Sequence, residues 1–280
     1  MRWTGTKEIK VFVKNWITQN QTILKNKIAI DVPAGNGYST KLLLEAGAQV
    51  KSFDLFPDFF KVPGRTCSFA DLGERIPLLD ESADFILCQE GIEHLPDPIK
   101  AFSEFNRVLK VNGTLVITTP NYSNLRSRLS YMLTESEYFG KIAAPNEFDG
   151  IWFTNEKSSQ NAKLYFGHVF LIGLQRLRLF SKVSGFEISQ IYPTRVNTTS
   201  LLLFPFFYPF ILIFNLQAYF RMKKKHGRAS ANVAKTIFFQ GVSPKVLLDN
   251  HLFVIFHKTL DVATSQKNLQ KNLSSETYIT

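Results

Sequence analysis

The 280-residue chain holds only two cysteines, Cys67 and Cys88, which stand in apolar runs with no metal-ligand spacing. That scarcity excludes a disulfide framework and a cysteine-built metal centre, and both thiols are expected to be buried and reduced. No Gly-Lys-Ser/Thr follows the glycine turn at residues 33–37, so a phosphate-cradling P-loop is excluded. The same turn reads Pro33-x-Gly35-x-Gly37 and lacks the third glycine of the G-x-G-x-x-G dinucleotide fingerprint. The opening Met1-Arg2-Trp3-Thr4 carries no apolar leader, so the protein is expected to be made and kept in the cytoplasm. Asn121-Tyr122-Ser123 is then a glycosylation pattern by chance. No internal repeat is visible. The longest apolar run, residues 201–216, falls short of the roughly 20 residues a spanning helix needs and contains Pro205 and Pro209. A membrane-spanning helix is therefore not expected.

Positive charge and phenylalanine are abundant instead. Lys and Arg number 33 against 23 Asp and Glu, giving a net charge of +10, and the 26 Phe cluster late in the chain. Such a surface suits a negative partner, and charge alone leaves both nucleic acid and anionic membrane open.

Along the chain, apolar runs and amphipathic stretches alternate. Residues 8–19 carry a helical pattern. Ile28-Ala29-Ile30 ends in Asp31 and passes through Pro33, Gly35 and Gly37 into a helix stopped by Gly47. Residues 50–53 form a strand ending at Asp54, 67–69 a strand before Asp71, and 85–88 a strand before Gln89 and Glu90. Asp97 caps a helix with Pro98 at its first position and Ile99, Phe102, Phe105 and Leu109 on one face. Strands follow at 114–119, 186–192 and 251–257, with a helix over 174–183. Alternation of this kind predicts an α/β fold with a parallel, doubly wound sheet, whose ligands sit outside the carboxyl ends of the strands. Asp31, Asp54, Asp71 and Glu90 all fall at such ends. A glycine-lined turn aimed at a helix start invites a ligand, and Asp54 stands where a carboxylate accepts both hydroxyls of an adenosyl ribose. A nicotinamide cofactor remains open at this point.

The stretches "ADLGERIPLLDESADFILCQEGIEHLPDP" and "RVLKVNGTLVITTPN", in that order, resemble the class I S-adenosylmethionine-dependent methyltransferases of the small-molecule (type 11) group. The resemblance covers residues 28–121 and, more loosely, 167–188. It implies a Rossmann-like sheet, mostly parallel with an antiparallel last strand; the apolar run at residues 201–216 is an insert before that strand. It implies S-adenosylmethionine as cofactor, with Asp31, Gly35, Asn36 and Gly37 around its methionine end. Asp54 and Leu55 would then lie at the ribose, Asp71 and Leu72 beside the adenine, and Gln89 on the sulfonium side. Pro33 departs from the family, which has a glycine there, so any amide contact at that position is lost.

Glu90, Glu93 and His94 stand at i, i+3 and i+4 in "EGIEH", one face if the turn is helical. They look like the E-x-x-E-H metal ligands of ubiquinone-pathway O-methyltransferases and of small-RNA 2′-O-methyltransferases, and His168 in "YFGHVF" would be the later histidine. That set suits a divalent ion such as Mg²⁺. With or without the ion, Glu93, His94 and His168 are the candidate catalytic residues.

Residues 201–216, "LLLFPFFYPFILIFNL", are followed by "RMKKKHGR". An apolar wedge beside a polybasic cluster suits an anionic membrane surface; the alternative is a core hairpin beside a solvated charge run. Nucleic acid is not expected, because charge and aromatics are segregated rather than interleaved. The expected layout is a helical lead-in over 1–26, a methyltransferase domain over 27–196 and 243–260, an insert over 197–242 and a disordered tail over 261–280. The expected function is O-methylation of a lipid, a prenyl quinone precursor or a lipid-linked sugar, by a peripheral protein on the cytoplasmic face of the cell membrane. The competing expectation is a non-catalytic, cofactor-binding partner in a membrane assembly.

Overall fold

In the computed structural model, residues 5–136, 151–153, 164–226 and 231–275 are described. Helix α1 (Gly5–Gln19) puts Ile9, Val13, Trp16 and Ile17 on one face at i, i+4, i+7 and i+8, and all four are buried. A single turn, α2 (Gln21–Leu24), leads into β1 (Ile28–Asp31), and α3 (Tyr38–Glu45) follows the glycine turn. Next come β2 (Gln49–Asp54), β3 (Cys67–Phe69), β4 (Ala83–Gln89), α4 (Pro98–Val108) and β5 (Leu109–Pro120). The chain continues through α5 (Leu125–Thr134), β6 (Ile151–Phe153), β7 (Leu164–Phe166), α6 (Leu174–Val183) and β8 (Phe186–Tyr192). The last elements are α7 (Thr198–His226), α8 (Ala231–Gly241), α9 (Pro244–Leu248), β9 (His251–Lys258) and α10 (Val262–Ser275).

Seven strands form one sheet in the order β3-β2-β1-β4-β5-β9-β8. The pairs β3–β2, β2–β1, β1–β4 and β4–β5 are parallel, whereas β8 and β9 are antiparallel. This is the Rossmann-like, doubly wound sheet the pattern of apolar runs predicts, with the apolar stretch inserted before the last strand. Strands β4 and β9 are buried along nearly their whole length, as strands covered on both faces must be.

The chain divides into two compact units. The first comprises Met1–Thr119, Arg178–Tyr192 and Phe253–Asn268 and contains most of the sheet. In its core Trp16 stacks on Phe85 at 5.7 Å between ring centroids, and Phe102 meets Phe256 edge-on at 5.6 Å. The second comprises Pro120–Leu177, Pro193–Leu252 and Leu269–Thr280. It holds α5, the antiparallel β6–β7 pair and the helices α7, α8 and α9.

Four expectations change. Leu109 is not on the α4 face but opens β5, where it pairs with Ala83; that pairing ends the helix one residue earlier. Cys88 is buried as expected, but Cys67 lies on the short strand β3 and is only half-buried. The two prolines do not interrupt the apolar stretch, because α7 runs unbroken for 29 residues with Pro205 and Pro209 inside it. The tail expected to be disordered is helical as α10: Asp261 accepts from the Thr264 amide at 2.8 Å, and Ser265 donates to the Lys182 carbonyl at 2.6 Å. A local cap and one buried anchor supply what composition did not reveal. Residues 276–280 lie outside the described residues.

Candidate functional site

The order of the strands reverses between β1 and β4, so the chain leaves their carboxyl ends in opposite directions and opens a crevice there. Register sets the residues of that edge side by side: Asp31 pairs with Ser52 and with Leu87, Asp54 with Phe69, and Gln89 with Thr118.

Asp31 is fully buried. Its Oδ2 accepts from Thr40 Oγ1 at 2.6 Å, and Thr40 in turn lies 2.9 Å from Ser52 Oγ. Its Oδ1 is buried with no hydrogen-bond partner among the described residues. Burial pushes the Asp31 carboxyl up to about 7, against the hydrogen bonds from Thr40 and with a smaller push from Asp54. Gly35 and Gly37 both have positive φ, +52° and +85°, which is why glycine stands at these two positions. The Gly35 amide donates to Asp54 Oδ2 at 2.7 Å, and the Phe56 amide donates to Oδ1 at 2.8 Å. Asp54 is thus a nearly buried carboxylate held in one orientation by the glycine turn, with lone pairs left over for a ligand. Asn36 is exposed at the tip of the turn, and its Oδ1 accepts from the Tyr38 amide at 3.3 Å. A Cβ on Gly37 would strike Val62 and would lie 2.8 Å from Phe60, so the segment after β2 lies against the turn.

Leu55 is half-buried just past Asp54. Asp71 follows β3, its Oδ1 accepting from the Gly73 amide at 2.8 Å, and Leu72 beside it is buried. Gln89 accepts from Ser39 Oγ at 2.7 Å, tying the end of β4 to the first turn of α3. Ser39, Thr40 and Ser52 carry this polar network, and sequence reasoning missed all three. The signal available was their hydroxyls recurring at one edge, but no spacing rule links residue 40 to residue 52. The Val32–Pro33 peptide is cis, and the Pro33 ring packs where a Cβ on Gly91 would fall. The amide lost at Pro33 is flanked by two that are used: Val32 donates to the Leu87 carbonyl at 3.0 Å, and Ala34 donates to that of Phe53 at 2.9 Å.

Glu90, Glu93 and His94 do not share a helical face. Glu90 has a left-handed backbone, φ 51°, and only Ile92–His94 makes a 3₁₀ turn. The amide of Glu90 donates to the Thr118 carbonyl at 2.9 Å, which bends the chain away from helix before Gly91. Glu90 Oε1 accepts from Thr118 Oγ1 at 3.1 Å, and Glu93 Oε2 accepts from Thr119 Oγ1 at 3.0 Å. Glu93 is completely buried, and burial pushes its carboxyl well up, with a further push from Glu90. His94 is half-buried on the same turn. His168 belongs to the second unit and is half-buried there.

Residues 30–117 match the family model described as a methyltransferase domain. A ubiquinone biosynthesis O-methyltransferase of Methylococcus capsulatus is 30% identical over 124 residues, covering 41% of this chain and 51% of that protein. Its counterpart in Xanthomonas campestris is 33% identical over 125 residues, covering 40% and 50%. A tRNA U34 carboxymethyltransferase of Helicobacter pylori is 27% identical over 143 residues, covering 44% and 54%. The chain spans about half the length of the curated relatives it matches. The family match contains the crevice residues from Asp31 to Gln89. Over residues 30–117 the chain is therefore similar to the class I S-adenosylmethionine-dependent methyltransferases.

Proposed function

We propose that the chain transfers the methyl group of S-adenosylmethionine to a hydroxyl of a lipid, a prenyl quinone precursor or a lipid-linked sugar at the cytoplasmic membrane face. The observation that carries the cofactor assignment is the pair of carboxyls on the crevice edge. Asp31 keeps a buried oxygen without a partner among the described residues, and Asp54 is oriented by the Gly35 amide. A ligand with an ammonium group at one end and a ribose diol at the other matches both. Asp31, Gly35, Asn36 and Gly37 would surround the amino-acid end, Asp54 and Leu55 the ribose, Asp71 and Leu72 the adenine, and Gln89 the sulfonium side.

In the transfer the acceptor oxygen forms the new bond to the methyl carbon as the S–CH₃ bond breaks. The bonding pair stays on sulfur, which becomes a neutral thioether, and the acceptor's proton leaves to a base. Holding oxygen, carbon and sulfur in line is the main contribution of the protein. His94 or His168 would take the proton, and Glu93 would position the turn that carries His94. The acceptor class is supported by the two relatives named for ubiquinone biosynthesis and by the exposed apolar helix α7. Asp54→Ala should weaken S-adenosylmethionine binding by about 2–4 kcal/mol, since two charge-assisted hydrogen bonds to the ribose are lost. Calorimetry finding equal affinity in the variant, or no binding by the parent chain, would sink the cofactor assignment. Binding without turnover on any membrane extract would favour the non-catalytic partner.

A divalent ion is a second reading, favoured by the residue types at this turn, where the carboxyls of Glu90 and Glu93 stand beside the His94 imidazole in sequence. Glu90, Glu93, His94 and His168 would hold Mg²⁺, which would polarise the acceptor oxygen. Chelator should then abolish turnover while leaving cofactor binding intact, and full activity in chelator removes the ion from the scheme.

A further inference from the structure

Helix α7 turns only a narrow stripe inward: Leu203, Phe204, Tyr208, Ile211, Asn215 and Tyr219 are half-buried at helical spacing. The rest of its apolar surface is open, with Leu202 68%, Phe206 72%, Phe210 60% and Phe214 64% exposed. Helix α5 starts beside α7, where the Arg126 amide donates to Ser200 Oγ at 3.1 Å, and its far end exposes Tyr131, Met132 and Leu133. So much contiguous exposed apolar surface marks an interaction site. The same helix ends in exposed Arg221, Lys223, Lys224 and Lys225.

We propose that α7, with the end of α5, is a docking face for an anionic lipid bilayer and lies along that surface without crossing it. This deepens the reading of a membrane-borne acceptor and rests on it. Apolar side chains followed at once by clustered cations match the two layers of a bilayer surface, acyl chains and anionic headgroups.

Length alone would permit a crossing. At 29 residues α7 is about 43 Å long, against roughly 30 Å of hydrocarbon. The return path forbids it. Both ends of the segment that contains α7 are clamped together: the Asn197 amide donates to the Leu248 carbonyl at 2.8 Å, and the Asn250 amide donates to the Arg195 carbonyl at 2.8 Å. The chain must therefore come back to the side from which it left. Among the described residues only α8 and α9 are helices available for the return, and α8 with 11 residues is about 16 Å long. Moreover α8 folds back along the second half of α7, with Phe238 on Tyr219 at 5.9 Å and Gly241 against Asn215. A helix that cannot be matched by a second crossing lies in the plane.

The test uses the full chain with two kinds of vesicle, phosphatidylcholine alone and phosphatidylcholine with phosphatidylglycerol. Sedimentation should favour the anionic vesicles. Changing Lys223, Lys224 and Lys225 to Gln should weaken that binding at least about tenfold, and added salt should mimic the change. Phe206→Asp with Phe210→Asp should weaken binding to both vesicles while the protein stays folded. If that pair unfolds the chain, the helix is core and the proposal fails. Thr198→Cys and Lys224→Cys should both react, above the parent's background, with an impermeant maleimide added outside intact vesicles. Protection of Lys224→Cys until detergent is added would establish a crossing and overturn the in-plane arrangement. Tight binding to tRNA with no sedimentation on any vesicle would replace the bilayer by RNA. S-adenosylmethionine binding is measured in the same samples: its persistence without vesicle binding sinks this proposal and leaves the methyltransferase reading standing.

Discussion

Asp31 is a residue whose chemistry departs far from its free state. Its carboxyl titrates near 3.8 when free and at about 7 in the fold, where burial opposes the charge. Between those values the folded chain holds a proton that the unfolded chain has lost. Asp31 therefore costs stability progressively as pH rises from about 4 to about 7, and no further above that. Asp31→Asn should raise the melting temperature at pH 8 and leave it nearly unchanged at pH 4, as thermal scans at the two values would record. The same substitution should weaken S-adenosylmethionine, because an ammonium group loses its buried counter-charge. Binding by the parent chain at pH 6 should release a proton, seen as a calorimetric heat that changes with the ionisation enthalpy of the buffer. No buffer dependence would mean that the cofactor does not reach Asp31.

At the scale of elements, the first unit depends on a few tight junctions. Gly185 joins α6 to β8 with φ +80°, and a Cβ there would collide with the Leu260 backbone and lie 2.9 Å from Asn106 Nδ2. Asn106 on α4 donates from that same Nδ2 to the Ser184 and Leu260 carbonyls at 2.8 Å each, so one side chain ties three segments. Gly185→Ala should lower stability by at least about 1–3 kcal/mol in denaturant titration, through backbone strain and loss of this tie. Asp97 caps α4 by accepting from the Lys100 amide at 3.1 Å, and Asp97→Ala should cost only about 1 kcal/mol. In α7 the two prolines deprive the carbonyls of Leu201 and Pro205 of their usual amide donors. Pro205→Ala and Pro209→Ala should therefore slow amide exchange along the helix, and unchanged exchange would show that those carbonyls are satisfied by other means.

For the whole molecule, a net charge of +10 accompanies an exposed apolar face on α7. Charge alone attracts any polyanion; the apolar side chains discriminate a bilayer from RNA. Incubated with labelled S-adenosylmethionine and a crude cell extract, the protein should deliver label to species that partition into organic solvent. Label recovered in tRNA would instead align the chain with the Helicobacter pylori relative.

Local chemistry was legible in the sequence alone. The strand ending at Asp31, the turn through Gly35 and Gly37, the Asp97-Pro98 helix start, and the bounds of α6 and β8 follow from apolar periodicity, capping and glycine placement, all of which act within a few residues. The alternation of strands and helices then fixed the sheet class, and with it the edge on which a ligand sits. What depends on residues distant in sequence had to come from the tertiary structure. Thr40 and Ser52 meet at Asp31 only because β2 pairs with β1, and that packing also strips Asp31 of water. Thr118 on β5 turns the Glu90 backbone left-handed and breaks a spacing that reads as helical in one dimension. The N-terminal helix is core because Trp16 finds Phe85 and Phe253, partners distant from it in sequence. In α7 neighbouring helices hold a proline-bearing stretch in one continuous helix, and the clamp between residues 195–197 and 248–250 brings the chain back to where that helix begins. Sequence determines what each segment prefers; whether a carboxyl is buried, a turn is bent or a helix is exposed is decided by what packs against it.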